Sequence, residues 1–211
     1  MADIREMYLE SCRVALDLIA HADVADRWTA PSILPELSTG ALAAHLGRAL
    51  VTVDAYLEAD VTPATDSTNV DAAGYFVAVL GDHDPMDSDF HRGVRERSAT
   101  AAGRGRDDVI GALRVALERL NGMPDDMGRP IAVLAGLQME LGEYLKTRLV
   151  ELAVHGRDLA DSVGAEPADA PPGCWEVVAE VLAAVAIQRN EPSAVALCLA
   201  RADRFPRVTA F

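Results

Sequence analysis

Leu141-Gly142-Glu143-Tyr144-Leu145-Lys146-Thr147-Arg148-Leu149-Val150-Glu151-Leu152-Ala153-Val154-His155-Gly156-Arg157-Asp158-Leu159-Ala160-Asp161-Ser162-Val163 contains no proline and is followed by Gly164. Such a stretch predicts one long helix, closed where glycine adopts the left-handed conformation that ends helices cheaply. Tyr144, Arg148, Glu151, His155 and Asp158 recur along it at spacings of four, three, four and three. That spacing keeps all five side chains on one stripe.

Outward from this helix, the remaining periodicity is also helical. Residues 3 to 22 place Ile4, Tyr8, Cys12, Ala15 and Ile19 three or four apart, with Asp3 as N-cap and Glu6 completing a capping box. Residues 23 to 36 read as loop because Pro31 and Pro35 forbid a continuous helix. Ser38 or Thr39 then caps a second helix with the stripe Leu42, Leu46, Ala49, Val53 and Tyr56. It gives way to a polar run from Asp60 to Asn69. A third helical region spans Val70 to Leu80, is interrupted by residues 81 to 87, and returns from Ser88. It bends at Gly103-Arg104-Gly105 and stops at Asn121-Gly122-Met123-Pro124. Residues 131 to 137 form either a short extended piece or a buried turn. Pro167, Pro171 and Pro172 mark a linker after Gly164, followed by helices from Cys174 to Gln188 and Ser193 to Ala202. No alternating strand pattern of useful length occurs. The expected fold class is all-α, an antiparallel four-helix bundle over residues 1–163. Residues 164–211 are expected to be a linker and a short helical extension packing on that bundle.

Composition agrees. Of 211 residues, half are hydrophobic, only 5% are aromatic, and 37 are alanine, the strongest helix former. The formal net charge of −14 makes a surface that repels phosphate backbones, so no nucleic-acid partner is expected. The N-terminus has no basic and apolar export signal, and no apolar run reaches membrane-spanning length, so a cytoplasmic protein without a membrane partner is expected. Cys12, Cys174 and Cys198 are odd in number and widely spaced, which suits neither a disulfide framework nor a zinc ribbon. Cys12 lies on an apolar stripe and the other two lie outside the expected bundle, so all three read as structural.

The chemistry concentrates on the long helix. Glu151 and His155, four apart, project from one face about 6 Å apart along the axis. A carboxylate and an imidazole so placed can share a divalent ion, or can form an ordinary polar pair on a solvated face. His45, beside the stripe of the second helix, is either a boundary histidine or a third ligand completing the set. Three protein ligands leave one position for water or substrate, as catalytic zinc sites do. Asp158 either receives the second ring N–H of His155 or is a solvated acid. Arg148 either orients a substrate carboxylate or neutralises nearby acids. Asp82, Asp84, Asp87 and Asp89, with His83 and His91, lack the glycine and terminal glutamate of a calcium loop and read as a solvated acidic segment. Gly103-Arg104-Gly105 is too short to cradle a phosphate.

Two strings carry a family resemblance: Trp28-x-x-Pro31-Ser32-x-Leu34-Pro35-Glu36-Leu37-Ser38-Thr39-Gly40-Ala41-Leu42-Ala43-Ala44-His45-Leu46, and Arg148-x-x-Glu151-Leu152-x-Val154-His155-x-x-Asp158-Leu159. In this order they resemble the signature segments of the mycothiol-dependent maleylpyruvate isomerase family, within the DinB/YfiT-like group of metal-binding four-helix bundles. The resemblance departs at Leu37, where the family usually has tryptophan, and at Ala41, where an acidic residue is common. It implies that His45, Glu151 and His155 ligate a divalent metal, usually zinc; Arg148 and Asp158, on the stripe that bears Glu151 and His155, are the catalytic candidates. It further implies mycothiol as co-substrate and a small-molecule electrophile as its partner. The expected activity is thiol transfer or isomerisation, the metal activating a low-molecular-weight thiol as thiolate. A metal-binding bundle acting as sensor or partner-binding module is the alternative, and a homodimer is compatible with either.

Overall fold

The computed structural model describes residues 3–59, 64, 66–81, 88–201 and 210. The fold is all-α with one small sheet. In chain order the helices are α1 (Ile4–Ala20), α2 (Ala22–Asp26), α3 (Thr39–Ala59), α4 (Ala72–Leu80), α5 (Asp89–Gly103), α6 (Arg106–Leu120), α7 (Leu141–Val163), α8 (Cys174–Arg189) and α9 (Pro192–Ala200). The strands are β1 (Thr68–Asn69), β2 (Pro130–Ala132) and β3 (Leu137–Glu140), with a 3₁₀ turn at Leu134–Gly136.

Four helices form the bundle: α7 and α6 each pack on both α1 and α3. Helix α5 covers the outer side of α3, while α4 and α8 pack on each other and on α7. The stripes expected of α1 and α3 face inward: Tyr8, Cys12, Ile19, Leu42, Leu46, Ala49 and Val53 are all buried. From α7 they meet Leu145, Leu149 and Leu159, also without measurable exposure. Burying such side chains contributes roughly 1.5–3 kcal/mol each. The one polar atom that Tyr8 carries inward is satisfied, its hydroxyl donating to the carbonyl of Ala49 at 2.9 Å.

Local signals set the boundaries. Ser38 accepts the amide of Ala41 at 3.1 Å and starts α3. Asp71 accepts the amide of Gly74 at 2.7 Å and starts α4. Gly164, at φ 72°, ends α7 in the left-handed region. Two glycines let α3 approach its neighbours: a Cβ on Gly40 would lie 2.5 Å from the Trp28 ring, and one on Gly47 would lie 2.8 Å from Leu113 of α6. Trp28 also donates its indole N–H to the carbonyl of Ala102 at 3.1 Å, tying the α2–α3 connection to α5.

The structure corrects several expectations. The stretch expected as loop from residue 23 to 36 contains part of α2, whose Val24 is fully buried. Asp3 caps α1 through the amide of Arg5, but Glu6 pairs with the Arg5 guanidinium and closes no capping box. Residues 131–137 are both extended and turned: β3 pairs parallel with β1 and antiparallel with β2, Ile131 opposite Met139. Strands of two to four residues are too short for alternation to show in sequence. Cys174, at the start of α8 outside the four bundle helices, is buried against the bundle, its sulfur 4.0 Å from the Ser11 hydroxyl of α1. Residues 82–87 of the acidic segment, and most of residues 60–65, lie outside the described residues. No helix among the described residues is long and apolar enough to cross a membrane.

Gly40→Ala would push against the Trp28 ring and strain its bond to Ala102. Such overpacking costs about 1–3 kcal/mol, and thermal unfolding should show it as a midpoint lowered by about 2–4 °C per kcal/mol in a chain of this size.

Candidate metal centre

Helix α3 lies along α7 with His45 opposite the stripe of α7. The Nε2 of His45 is 3.5 Å from Oε2 of Glu151, and the Nε2 of His155 is 3.6 Å from the same oxygen. The two imidazoles meet edge to face with centroids 4.7 Å apart. One ligating atom from each residue can be chosen so that all three lie within 4.8 Å of one another. Zinc bonds of about 2.0–2.1 Å set the edge of a coordination tetrahedron at about 3.4 Å. The donors therefore stand close to the separations a single ion requires, and two nitrogens with one oxygen are a donor set that zinc accepts.

Asp158 resolves one open alternative. Its Oδ2 is 2.9 Å from Nδ1 of His155, which leaves Nε2 of that ring facing Glu151. The Nδ1 of His45, by contrast, is buried with no hydrogen-bond partner among the described residues. Burial opposes the negative charge of Glu151, but the hydrogen bond with His45 and the charges of Arg148 and His155 outweigh it and hold the carboxyl far below the usual range. Burial likewise lowers the basicity of His155, yet Asp158 and Glu151 raise it above its ordinary value.

Arg148 offsets the charge of Glu151 without a direct ion pair. It is 8% exposed and has no carboxylate within ion-pair distance among the described residues. Its Nε donates to the Thr147 hydroxyl at 3.0 Å, and its guanidinium lies 4.8 Å from the ring centroid of Tyr144 and 5.8 Å from that of Tyr75. Burial works against its charge, but Tyr144 and Glu151 more than compensate and raise its affinity for the proton. Cation–π contact and a nearby carboxylate thus stabilise a guanidinium that would otherwise be costly to bury.

The three donor residues and Arg148 line a cavity of about 380 Å³, within the range of small-molecule sites. Its walls are largely apolar and aromatic, including Leu37, Tyr56, Phe76 and Phe90. Two further residues of this cavity escaped the sequence reading. Arg48 stands three residues after His45 on α3, just as Arg148 stands three before Glu151 on α7. That spacing was an available signal. His91 was grouped with the acidic segment, whereas it sits on α5 and faces the same cavity. Only the packing of α5 on α3 brings it there, and no local spacing announces that.

A family model described as mycothiol maleylpyruvate isomerase N-terminal domain matches residues 8–160. No curated protein and no solved structure matches the chain. The matched segment contains His45, Arg148, Glu151, His155 and Asp158.

The state of Glu151 has a measurable consequence. Its carboxyl is held below the ordinary value of about 4.3, so in acid the unfolded chain takes up a proton at this position that the folded chain refuses. The stabilisation is present above that pH and lost below it. In chelator-treated protein, the urea midpoint of the wild type should fall more steeply than that of Glu151→Gln between about pH 5 and about pH 3, and the two curves should converge in acid. Parallel curves would show that Glu151 is not held ionised.

Proposed function

The chain belongs to the mycothiol maleylpyruvate isomerase N-terminal domain family, and we propose that it is a metal-dependent enzyme using mycothiol, acting as a thiol transferase or isomerase. The observation that carries this reading is the convergence of two imidazole Nε2 atoms on one carboxylate oxygen of Glu151 at a small-molecule cavity. His45, Glu151 and His155 would hold a divalent ion, with zinc the simplest choice for an N, N, O donor set. Bound there, the ion would supply a lowered thiol pKa and a fixed position for the thiolate.

The rest falls to the chain's own residues. Asp158 is a positioning residue, fixing the ring orientation and tautomer of His155. Glu151 supplies one negative charge, so three protein ligands leave a divalent site with positive charge to attract an anionic sulfur. Arg148 offers its guanidinium to a substrate anion at the same cavity. The apolar walls limit water around the reacting atoms. The thiol must come from outside the protein. Burial pushes the Cys12 thiol up to about 12, and burial also raises that of Cys174. Neither lines the cavity that holds the histidines.

Metal content and thiol consumption test the reading. Wild-type protein should retain zinc near stoichiometry and His45→Ala should lose it. Asp158→Asn should weaken zinc binding about 10- to 100-fold, the usual cost of losing a carboxylate behind a metal-bound histidine. Mycothiol incubated with a bimane electrophile should lose its free thiol faster with wild type than with His155→Ala. Metal retention without turnover would leave the chain a binding module, and a wild type that holds no metal would overturn the proposal.

A further inference from the structure

Among the described residues, the cavity is lined by more arginines than carboxylates. Arg48 and Arg148 both line it, one from α3 and one from α7. Arg48 is half-buried, and its guanidinium forms no hydrogen bond or ion pair among the described residues, the Thr52 hydroxyl donating instead to its backbone carbonyl. Arg148 is buried, and its only hydrogen bond among the described residues uses Nε, leaving its terminal nitrogens without an acceptor. Burial and the like charges of Arg97 and Arg148 push the Arg48 guanidinium below its ordinary value, so the two cations act on each other. Arg95, on the same wall, behaves differently: it pairs with Glu36 at 3.0 Å. Among the negative groups, Asp158 is engaged by His155, and Glu151 alone faces both imidazoles and the arginines.

A protein with a net charge of −14 has carboxylates to spare. Among the described residues lining the cavity, the two inward guanidinium groups share the single carboxylate of Glu151 and form no ion pair with it, so a ligand carboxylate would offset the charge that remains. Arginine's planar fork suits a carboxylate, which can take two parallel N–H bonds. The same cavity is also lined by apolar side chains, among them Leu37, Phe76, Val79 and Phe90. One anionic end and one apolar body would therefore be satisfied together.

From this juxtaposition we propose that Arg48 and Arg148 form a carboxylate-binding subsite beside His45, Glu151 and His155, and that the cavity selects an amphipathic monocarboxylate. The inference deepens the reading of this site and rests on it for the reaction, but binding of the carboxylate requires only the arginines. Arg48 is then a specificity-determining residue.

Calorimetric titration with 4-phenylbutyrate, its neutral amide and butyrate separates the contributions. Wild type should bind 4-phenylbutyrate about 10- to 100-fold more tightly than the amide, the range expected of charge-assisted hydrogen bonds, and more tightly than butyrate. Arg48→Gln should lose most of the preference for the acid over the amide while keeping amide affinity and zinc content. Arg48→Lys should restore part of it. Arg148→Lys, checked for folding by circular dichroism, should weaken the acid more than the amide. The same titrations on chelator-treated protein distinguish this inference from the metal reading. A preference that survives chelation supports the arginine pair even if the chain binds no metal. A preference that disappears on chelation yet persists in Arg48→Gln would assign the carboxylate to the ion and overturn the proposal, as would equal binding of acid and amide or no binding of either.

Discussion

Burying the carboxylate of Glu151 constrains the rest of this molecule. A charged group inside a bundle must be surrounded by partners or be neutralised, and the groups that act most strongly on Glu151 come from two helices. His45 approaches from α3, while His155 and Arg148 lie one turn either side of Glu151 on α7. The register of α3 against α7 is therefore specified by polar contacts as well as by apolar ones. Sliding one helix by a turn would leave the carboxylate beside leucines, at a cost of several kcal/mol for an uncompensated charge.

The rest of the core supports that register. Tyr8 reaches Ala49 on α3, and the Tyr144 hydroxyl lies 3.3 Å from the Thr52 hydroxyl, so successive polar contacts cross the interior along α3. Tyr56, Tyr75 and Tyr144 meet edge to face around Arg148. Gly47 permits Leu113 to pack directly onto the α3 backbone, drawing α6 against the opposite side. The apolar layers position α3, and the aromatic layer converts that position into an electrostatic environment. Stability and chemistry are thus built from the same helix pair.

What could be read from the sequence follows the range of the interactions. Helix α7 was legible to its ends because an unbroken helical pattern and Gly164 are local signals, and Glu151 with His155 was legible because i and i+4 share a face. Linking His45 to them needed the two family strings, since about 105 residues separate the segments and nothing local joins them. Asp158 stood between two readings that only a distance could separate. Arg148 reads from the sequence as orienting a carboxylate or neutralising acids, and it does offset the charge of Glu151, whereas its contact with the Tyr75 ring comes from packing that no local spacing announces. Helix α2 and the pairing of the short strands are not legible, since two to five residues carry too little periodicity, although residues 131–137 do read as extended or turned. Arg48 was overlooked although it repeats, on α3, the three-residue offset that Arg148 shows on α7.

That repeated offset explains how an acidic protein can create a positive cavity. Long-range charge is screened within about 8–10 Å at ordinary ionic strength, so the field inside the cavity is set by the residues lining it and hardly by the net charge of the surface. Each of the two helices that carry the candidate ligands places one arginine about a turn from a candidate ligand, Arg48 from His45 and Arg148 from Glu151. A divalent ion held by one carboxylate and two neutral imidazoles would add to that positive field. Anionic sulfur and a substrate carboxylate would both be attracted to the same small volume, where each would offset part of the charge that the other meets. The acidic exterior would meanwhile disfavour polyanions too large to enter. Selection for small anions would then arise from local placement against a global charge of opposite sign, without any residue dedicated to exclusion.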